Sequence, residues 1–200
     1  MTAHAQIPDF AAARQAMVDS QLRPQGVNDP SVIAAMSRVP REQFVPDEQK
    51  PLAYIDRSIP LGEGRELPAP AVLGLLLTAL APLRGERALV VDAGTGYAVA
   101  VLKEMGIDAD AVEASAVLAH GLKKSAPYDI VLIDGAVEFI PDALVEQLGD
   151  GGRLGGAIID QGITRLVTGR KAGGSFGYLT IADAATPALP GFKRPPAFVF

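Results

Sequence analysis

Val90-Val91-Asp92-Ala93-Gly94-Thr95-Gly96-Tyr97 decides the fold of this 200-residue chain. A short apolar strand, Ala88 to Asp92, ends in an acid and a glycine turn, and Val99 to Met105 continues as helix. Glycines at a strand-to-helix turn let the backbone approach a ligand, and the helix start offers free N–H groups. Glu113 stands nineteen residues past Gly94, at the end of the next strand. An acid there can take both hydroxyls of a ribose, as in Rossmann-like nucleoside sites. Asp92 favours a ligand that carries an ammonium group. A dinucleotide site wants three spaced glycines, and here the third position is Val99. The competing reading is that Gly94 and Gly96 only close a tight turn.

Outward from this stretch, strands and helices alternate. Ala109 to Ala114 reads as a weaker strand, Ser115 to Lys124 as a helix, and Tyr128 to Asp134 as a clear strand. Pro141 to Leu148 is a helix, followed by the strand Leu154 to Ile159. Apolar strands alternating with helices imply a parallel sheet covered on both faces. Thr164 to Arg170 and Phe176 to Asp183 then form an antiparallel hairpin. Pro187 to Pro196 reads as loop, and Ala197 to Phe200 as a strand or plug that packs down. Asp134, at the carboxyl end of its strand, faces the crevice where such sheets bind ligands; capping the turn at Gly135-Ala136 is an equal alternative.

The N-terminal half is helical and punctuated by proline. Ala11 to Leu22 reads as an amphipathic helix. Asp29-Pro30 starts a second helix that Pro40 stops. Arg41 to Pro70, with prolines at 46, 51, 60, 68 and 70, reads mostly as ordered loop, and the apolar run Ala69 to Leu83 as one buried helix. The expectation is a single domain, 1–200, with residues 1–83 an extension to the core at 84–200.

Composition narrows the function. A net charge of −5 leaves no basic surplus to neutralise nucleic-acid phosphates or an anionic membrane. The adjacent basic pairs Lys123-Lys124 and Arg170-Lys171 read as solvated faces. There is no Cys, which excludes thiolate chemistry and fits a cytoplasmic protein. No apolar run reaches membrane-spanning length, and Met1 to Gln6 has neither the basic start nor the apolar core of a secretory leader. His4 and His120 have no acid partner that would suggest a metal. Gly173 to Gly177 has the letters of a nucleophile elbow but lies in a hairpin turn, and no His follows it.

Ala35-Met36, Val39-Pro40-Arg41-Glu42, Phe44-Val45-Pro46, Ala53-Tyr54-Ile55-Asp56 and Ile59-Pro60-Leu61-Gly62-Glu63-Gly64 together form a specific string. With Gln21-Leu22-Arg23, Tyr128-Asp129, Gln147-Leu148 and Gly151-Gly152-Arg153-Leu154, it resembles the protein-L-isoaspartate O-methyltransferases over nearly the whole chain. The resemblance implies a class I methyltransferase fold with a mixed sheet, S-adenosylmethionine as cofactor, and isoaspartyl carboxylates of damaged proteins or peptides as substrate. Asp92, Gly94, Thr95, Gly96, Tyr97, Glu113 and Asp134 are then the candidate cofactor residues.

Three departures from the family pattern stand beside the match. The glycine loop is two residues shorter. Between Glu113 and Asp129 there is room for only one helix, so the sheet's third strand is expected to be missing and Ala109 to Ala114 to be an edge. Its acids discourage random pairing but leave a specific homodimer open. The acceptor side, Arg65 to Pro70, has no Ser or Thr, which leaves Arg65 and Glu66 as candidates there. These departures raise an alternative, a catalytically silent relative kept as a binding module.

Overall fold

A computed structural model of the chain describes residues 9–120 and 126–193. Helix α1 (Phe10–Met17) starts at Asp9, whose carboxylate accepts from the Ala12 N–H at 3.0 Å. The predicted single helix to Leu22 instead loosens into a π turn over Val18–Leu22. Met17, Val18 and Leu22 are all buried. The wider turn brings residues five apart into line, which turns Leu22 inward beside Met17.

Helix α2 (Pro30–Arg38) begins as expected, with Asp29 accepting from the N–H groups of Ser31 and Val32 at 2.8 and 3.1 Å. The segment read as loop from Arg41 is more ordered than its prolines suggest. It holds 3-10 turns at Arg41–Phe44 and Asp47–Leu52, then a small antiparallel pair, β1 (Ile59–Gly62) and β2 (Arg65–Leu67). The pair turns tightly because Gly62, Glu63 and Gly64 all have positive φ. Helix α3 (Pro70–Leu80) is buried almost throughout.

The main sheet is built from β3 (Arg87–Asp92), β4 (Asp108–Glu113), β5 (Tyr128–Val137), β6 (Leu148–Asp160), β7 (Ile163–Ala172) and β8 (Ser175–Asp183), in the order β4-β3-β5-β6-β7-β8. The first four strands are parallel; β7 and β8 close the sheet antiparallel, as the hairpin predicts. Helices α4 (Tyr97–Glu104), α5 (Ala114–His120) and α6 (Asp142–Glu146) follow β3, β4 and β5. Among the described residues, no strand lies between Glu113 and Tyr128, so β4 is an edge.

Both sheet faces are covered, which explains the unbroken apolar runs of β3 and β5. Ala88, Val90, Ile130 and Leu132 pack with α1 to α4, in one cluster that joins the N-terminal half to the core. Leu89, Val91, Val131 and Ile133 pack on the opposite face, with Val117, Leu144, Leu189 and Phe192. The last two come from the stretch read as loop. It is indeed irregular, yet it lies along β5: Pro187 O accepts from Ala136 N–H at 2.7 Å, and Leu189 N–H donates to Ala136 O at 2.8 Å. Ala197 to Phe200 lies outside the described residues. No helix among those described is long and apolar enough to cross a membrane.

Candidate cofactor site

Register places the site. Val91 pairs with Ile133 across β3 and β5, so Asp92 and Asp134 stand side by side at the carboxyl ends of neighbouring strands. Both are buried. Asp92 shapes the glycine loop: one oxygen accepts from the Gly94 N–H at 2.8 Å, the other from the Gly96 N–H at 2.9 Å and the Thr95 hydroxyl at 3.2 Å. Three loop donors thus hold this carboxylate, which fixes the loop's path. Gly94 and Gly96 have φ of 77° and 72°, a region that β-carbons disfavour.

Glu113, exposed at the end of β4, reaches this loop. A β-carbon on Gly94 would lie 3.1 Å from Glu113 Oε1 and 3.4 Å from Arg65 Nη1. A carboxylate and a guanidinium therefore both reach the space that a side chain at this glycine would occupy. Gly94, Thr95 and Arg65 line one wall of a cavity of about 300 Å³, whose other wall is Phe44, Pro46 and Leu61 from the N-terminal half. Glu66 is not brought in. Alternation along β2 turns Arg65 toward Gly94 and Leu67 into the core, and places Glu66 on the other side. Tyr97 opens α4, but its ring is buried edge-on against Phe44, with centroids 5.4 Å apart.

The residue that sequence reasoning missed is Arg41. It is fully buried beneath the site, where its Nε donates to Ala53 O at 2.8 Å and its Nη2 donates to Pro68 O. Its guanidinium lies over the Tyr97 ring, 4.7 Å from the centroid. Burial lowers its pKa from the ordinary value, against the pull of Tyr97 and Asp134. A second knot sits beside it. Arg14 donates to Tyr54 Oη at 2.8 Å and to Glu42 at 3.1 Å, and the Tyr54 hydroxyl donates to Glu42. Burial, then the Glu42 hydrogen bond, pushes Tyr54 up to about 12. The Pro40-Arg41-Glu42 string is therefore structural wiring that holds β2, and with it Arg65, against the glycine loop. No local signal marks Arg41 in the sequence, because a charged residue after Pro40 reads as surface.

Asp134 is the other anomaly. Neither of its oxygens has a hydrogen-bond partner. Burial first, then the Asp92 charge, raises its pKa from 3.8 to about 7, against the pull of Arg41. A carboxyl held protonated in the fold but ionised in the unfolded chain makes folding less favourable as pH rises. The stabilisation is fully present below about 3.8 and is lost by about 7, with a slope of at most about 1.4 kcal/mol per pH unit. Asp134→Asn should therefore flatten the Tm profile over that window and melt higher than the parent at pH 8. Parallel profiles for the two proteins would show that Asp134 is not the titrating group.

Comparison with known proteins agrees with this geometry. Residues 12–118 and 110–175 match the family model described as Protein-L-isoaspartate(D-aspartate) O-methyltransferase. A protein-L-isoaspartate O-methyltransferase of Methylorubrum extorquens is 39% identical over 170 residues, covering 74% of this chain and 75% of that protein. One from Rhodopseudomonas palustris is 36% identical over 182 residues, covering 79% and 74%. Among solved structures, a putative protein-L-isoaspartate O-methyltransferase of Plasmodium falciparum, in complex with S-adenosyl-L-homocysteine, superposes with a TM-score of 0.71 at 18% identity, over 92% of this chain and 99% of that one. Another protein-L-isoaspartate O-methyltransferase structure gives 0.73 at 18% identity, over 90% and 66%. The fold is that of a class I methyltransferase, and the chain belongs to the protein-L-isoaspartate(D-aspartate) O-methyltransferase family.

Proposed function

We propose that this chain transfers a methyl group from S-adenosylmethionine to the misplaced carboxylate of isoaspartyl residues in damaged proteins. One observation supports this reading above the others: in a member of that family, the Asp92-braced glycine loop stands directly beside Glu113. The residues present fit the cofactor. A side chain at Gly94 would fill the space between Glu113 and Arg65, and its absence leaves a cradle open. When bound, the cofactor supplies an activated methyl group, so the protein needs to align the acceptor rather than move protons. In this reading Glu113 accepts from both ribose hydroxyls, and the backbone of Gly94, Thr95, Gly96 and Tyr97 lies along the ligand.

The substrate is a protein or peptide, and the compartment is read as the cytoplasm. The silent-module alternative gains no support from the relatives matched. The β4 edge carries exposed Asp108, Asp110 and Glu113, so random pairing there is disfavoured and a homodimer would need a specific partner surface.

The direct test supplies an isoaspartyl peptide with methyl-labelled cofactor, against the same peptide with ordinary aspartate. Label should enter the isoaspartyl peptide alone; equal or no labelling contradicts the reading. Glu113→Ala should weaken S-adenosylhomocysteine binding by roughly 10–100-fold, the value of one or two hydrogen bonds to a charged group, with an unchanged melting temperature. Unchanged affinity would place the ribose elsewhere.

A further inference from the structure

The two edges of the main sheet are built differently. On β4, Asp108, Asp110 and Glu113 are exposed and guard the edge with like charges. At the other end, β8 has no neighbour on its outer side among the described residues. Its run Ser175 to Ala182 holds no charge and no proline. Tyr178 and Leu179 project from its opposite faces and are 54% and 61% exposed. The nearby acids Asp160 and Asp183 are both engaged by Arg165, at 3.8 and 3.6 Å. An uncharged, apolar edge with an outer row of N–H and C=O groups is a template for another strand.

We infer that β8 is the contact between two copies of this chain, paired antiparallel across a two-fold axis into one continuous sheet. The pairing is independent of the proposed reaction. A two-fold axis perpendicular to the sheet keeps like faces together, so it passes through a residue rather than between two. The bulge beside Ile181 ends the straight part of the strand, which centres the pairing on Tyr178. Tyr178 then lies opposite its own copy as an aromatic cross-strand pair, and Leu179 of one copy lies opposite Gly177 of the other. A β-carbon on Gly177 would meet no atom within 4 Å. The same glycine, with Ala79, Thr168 and Leu179, lines a cavity of about 420 Å³ on the face that carries α3. The leucine of a second copy therefore finds open space beside apolar groups. On the opposite face Tyr178 borders a smaller hollow, about 190 Å³, with Ile158, Val167 and Thr180. One segment supplies both the projecting and the receiving positions, and no charge that would select a foreign partner, so its complement is a second copy of itself. Strands β5, β6 and β7 separate this edge from β3 and its glycine loop, so each copy keeps its own site.

Sedimentation of the full chain tests the association, and cross-linking tests the edge. A strand pair with two shallow hollows is a small interface, so the protein should be a dimer at about 100 µM and dissociate on dilution. Tyr178→Lys sets two lysines directly opposite each other and should raise the dissociation constant at least about tenfold, with far-UV circular dichroism unchanged. The chain has no cysteine, so single introduced ones report position cleanly. Opposite residues of an antiparallel pair have Cα atoms about 4.5–5.5 Å apart, within the span of a disulfide. Tyr178→Cys should therefore cross-link to a dimer under mild oxidation, whereas Asp110→Cys on β4 should not. A monomer at about 100 µM overturns the inference; if deletion of residues 194–200 then yields a dimer, the chain's own C-terminus is the occupant of this edge. A dimer that Tyr178→Lys leaves intact, or that cross-links through Asp110→Cys and not Tyr178→Cys, overturns it as well.

Discussion

Gly94→Val should abolish detectable S-adenosylhomocysteine binding, a loss of at least about 100-fold, while the protein stays folded. Two effects add. At φ 77° a β-branched residue is strained, by roughly 1–2 kcal/mol on handedness alone. Its β-carbon would also lie 3.1 Å from Glu113 Oε1 and 3.4 Å from Arg65 Nη1, so both side chains must retreat from the crevice. Gly94 is exposed and outside the two core clusters, so far-UV circular dichroism should match the parent. A variant that binds normally would show that the ligand does not follow this loop.

Arg41→Met carries the largest expected cost in stability, about 3–5 kcal/mol. The substitution keeps much of the volume but leaves the carbonyls of Ala53 and Pro68 without their donor, and it removes the cation over Tyr97. It also removes the charge that opposes the rise in the pKa of Asp134. At roughly 2–4 °C per kcal/mol for a domain of this size, Tm should fall by about 10 °C. The deficit should be larger at pH 8 than at pH 5, because Asp134 then ionises without its counter-charge. Adding Asp134→Asn should recover part of the loss at pH 8. A Tm within about 2 °C of the parent would mean that the buried guanidinium is dispensable.

The two residues behind these predictions were unequally legible in the sequence. Gly94 stands in a local pattern, an apolar strand, an acid and two glycines, and local pattern also gave β5, the β7–β8 hairpin and the Asp29 cap. That no strand lies between Glu113 and Tyr128 among the described residues was readable from the short interval between Glu113 and Asp129. Arg41 could not be placed this way. A charged residue after Pro40 reads as surface, and its burial depends on carbonyls 12 and 27 residues away. Long-range pairing hid two more features. Leu189 and Phe192 look like loop residues until Ala136 of β5 and Glu138 just past its end supply their hydrogen-bonding edge. The β1–β2 pair escapes a proline-based reading because Gly62 and Gly64 make its turn possible.

At the site, spacing located Asp92, Glu113 and Asp134 but not their states. Asp92 turns inward to brace Gly94, Thr95 and Gly96, and Asp134 has no hydrogen-bond partner. Arg65 and Glu66 are adjacent in sequence and equivalent as candidates until the two-residue period of a strand sends them to opposite faces. Burial and register, neither visible in a list of residue types, decide between them.

Calorimetric titration of the purified protein with S-adenosylhomocysteine tests the central claim most directly. A single site with micromolar or tighter affinity is the predicted result, because the proposed function assigns the cofactor to the glycine loop, Glu113 and the surrounding cavity. No heat of binding at millimolar ligand, from protein that melts cooperatively, would contradict it and leave the family's fold without the family's cofactor.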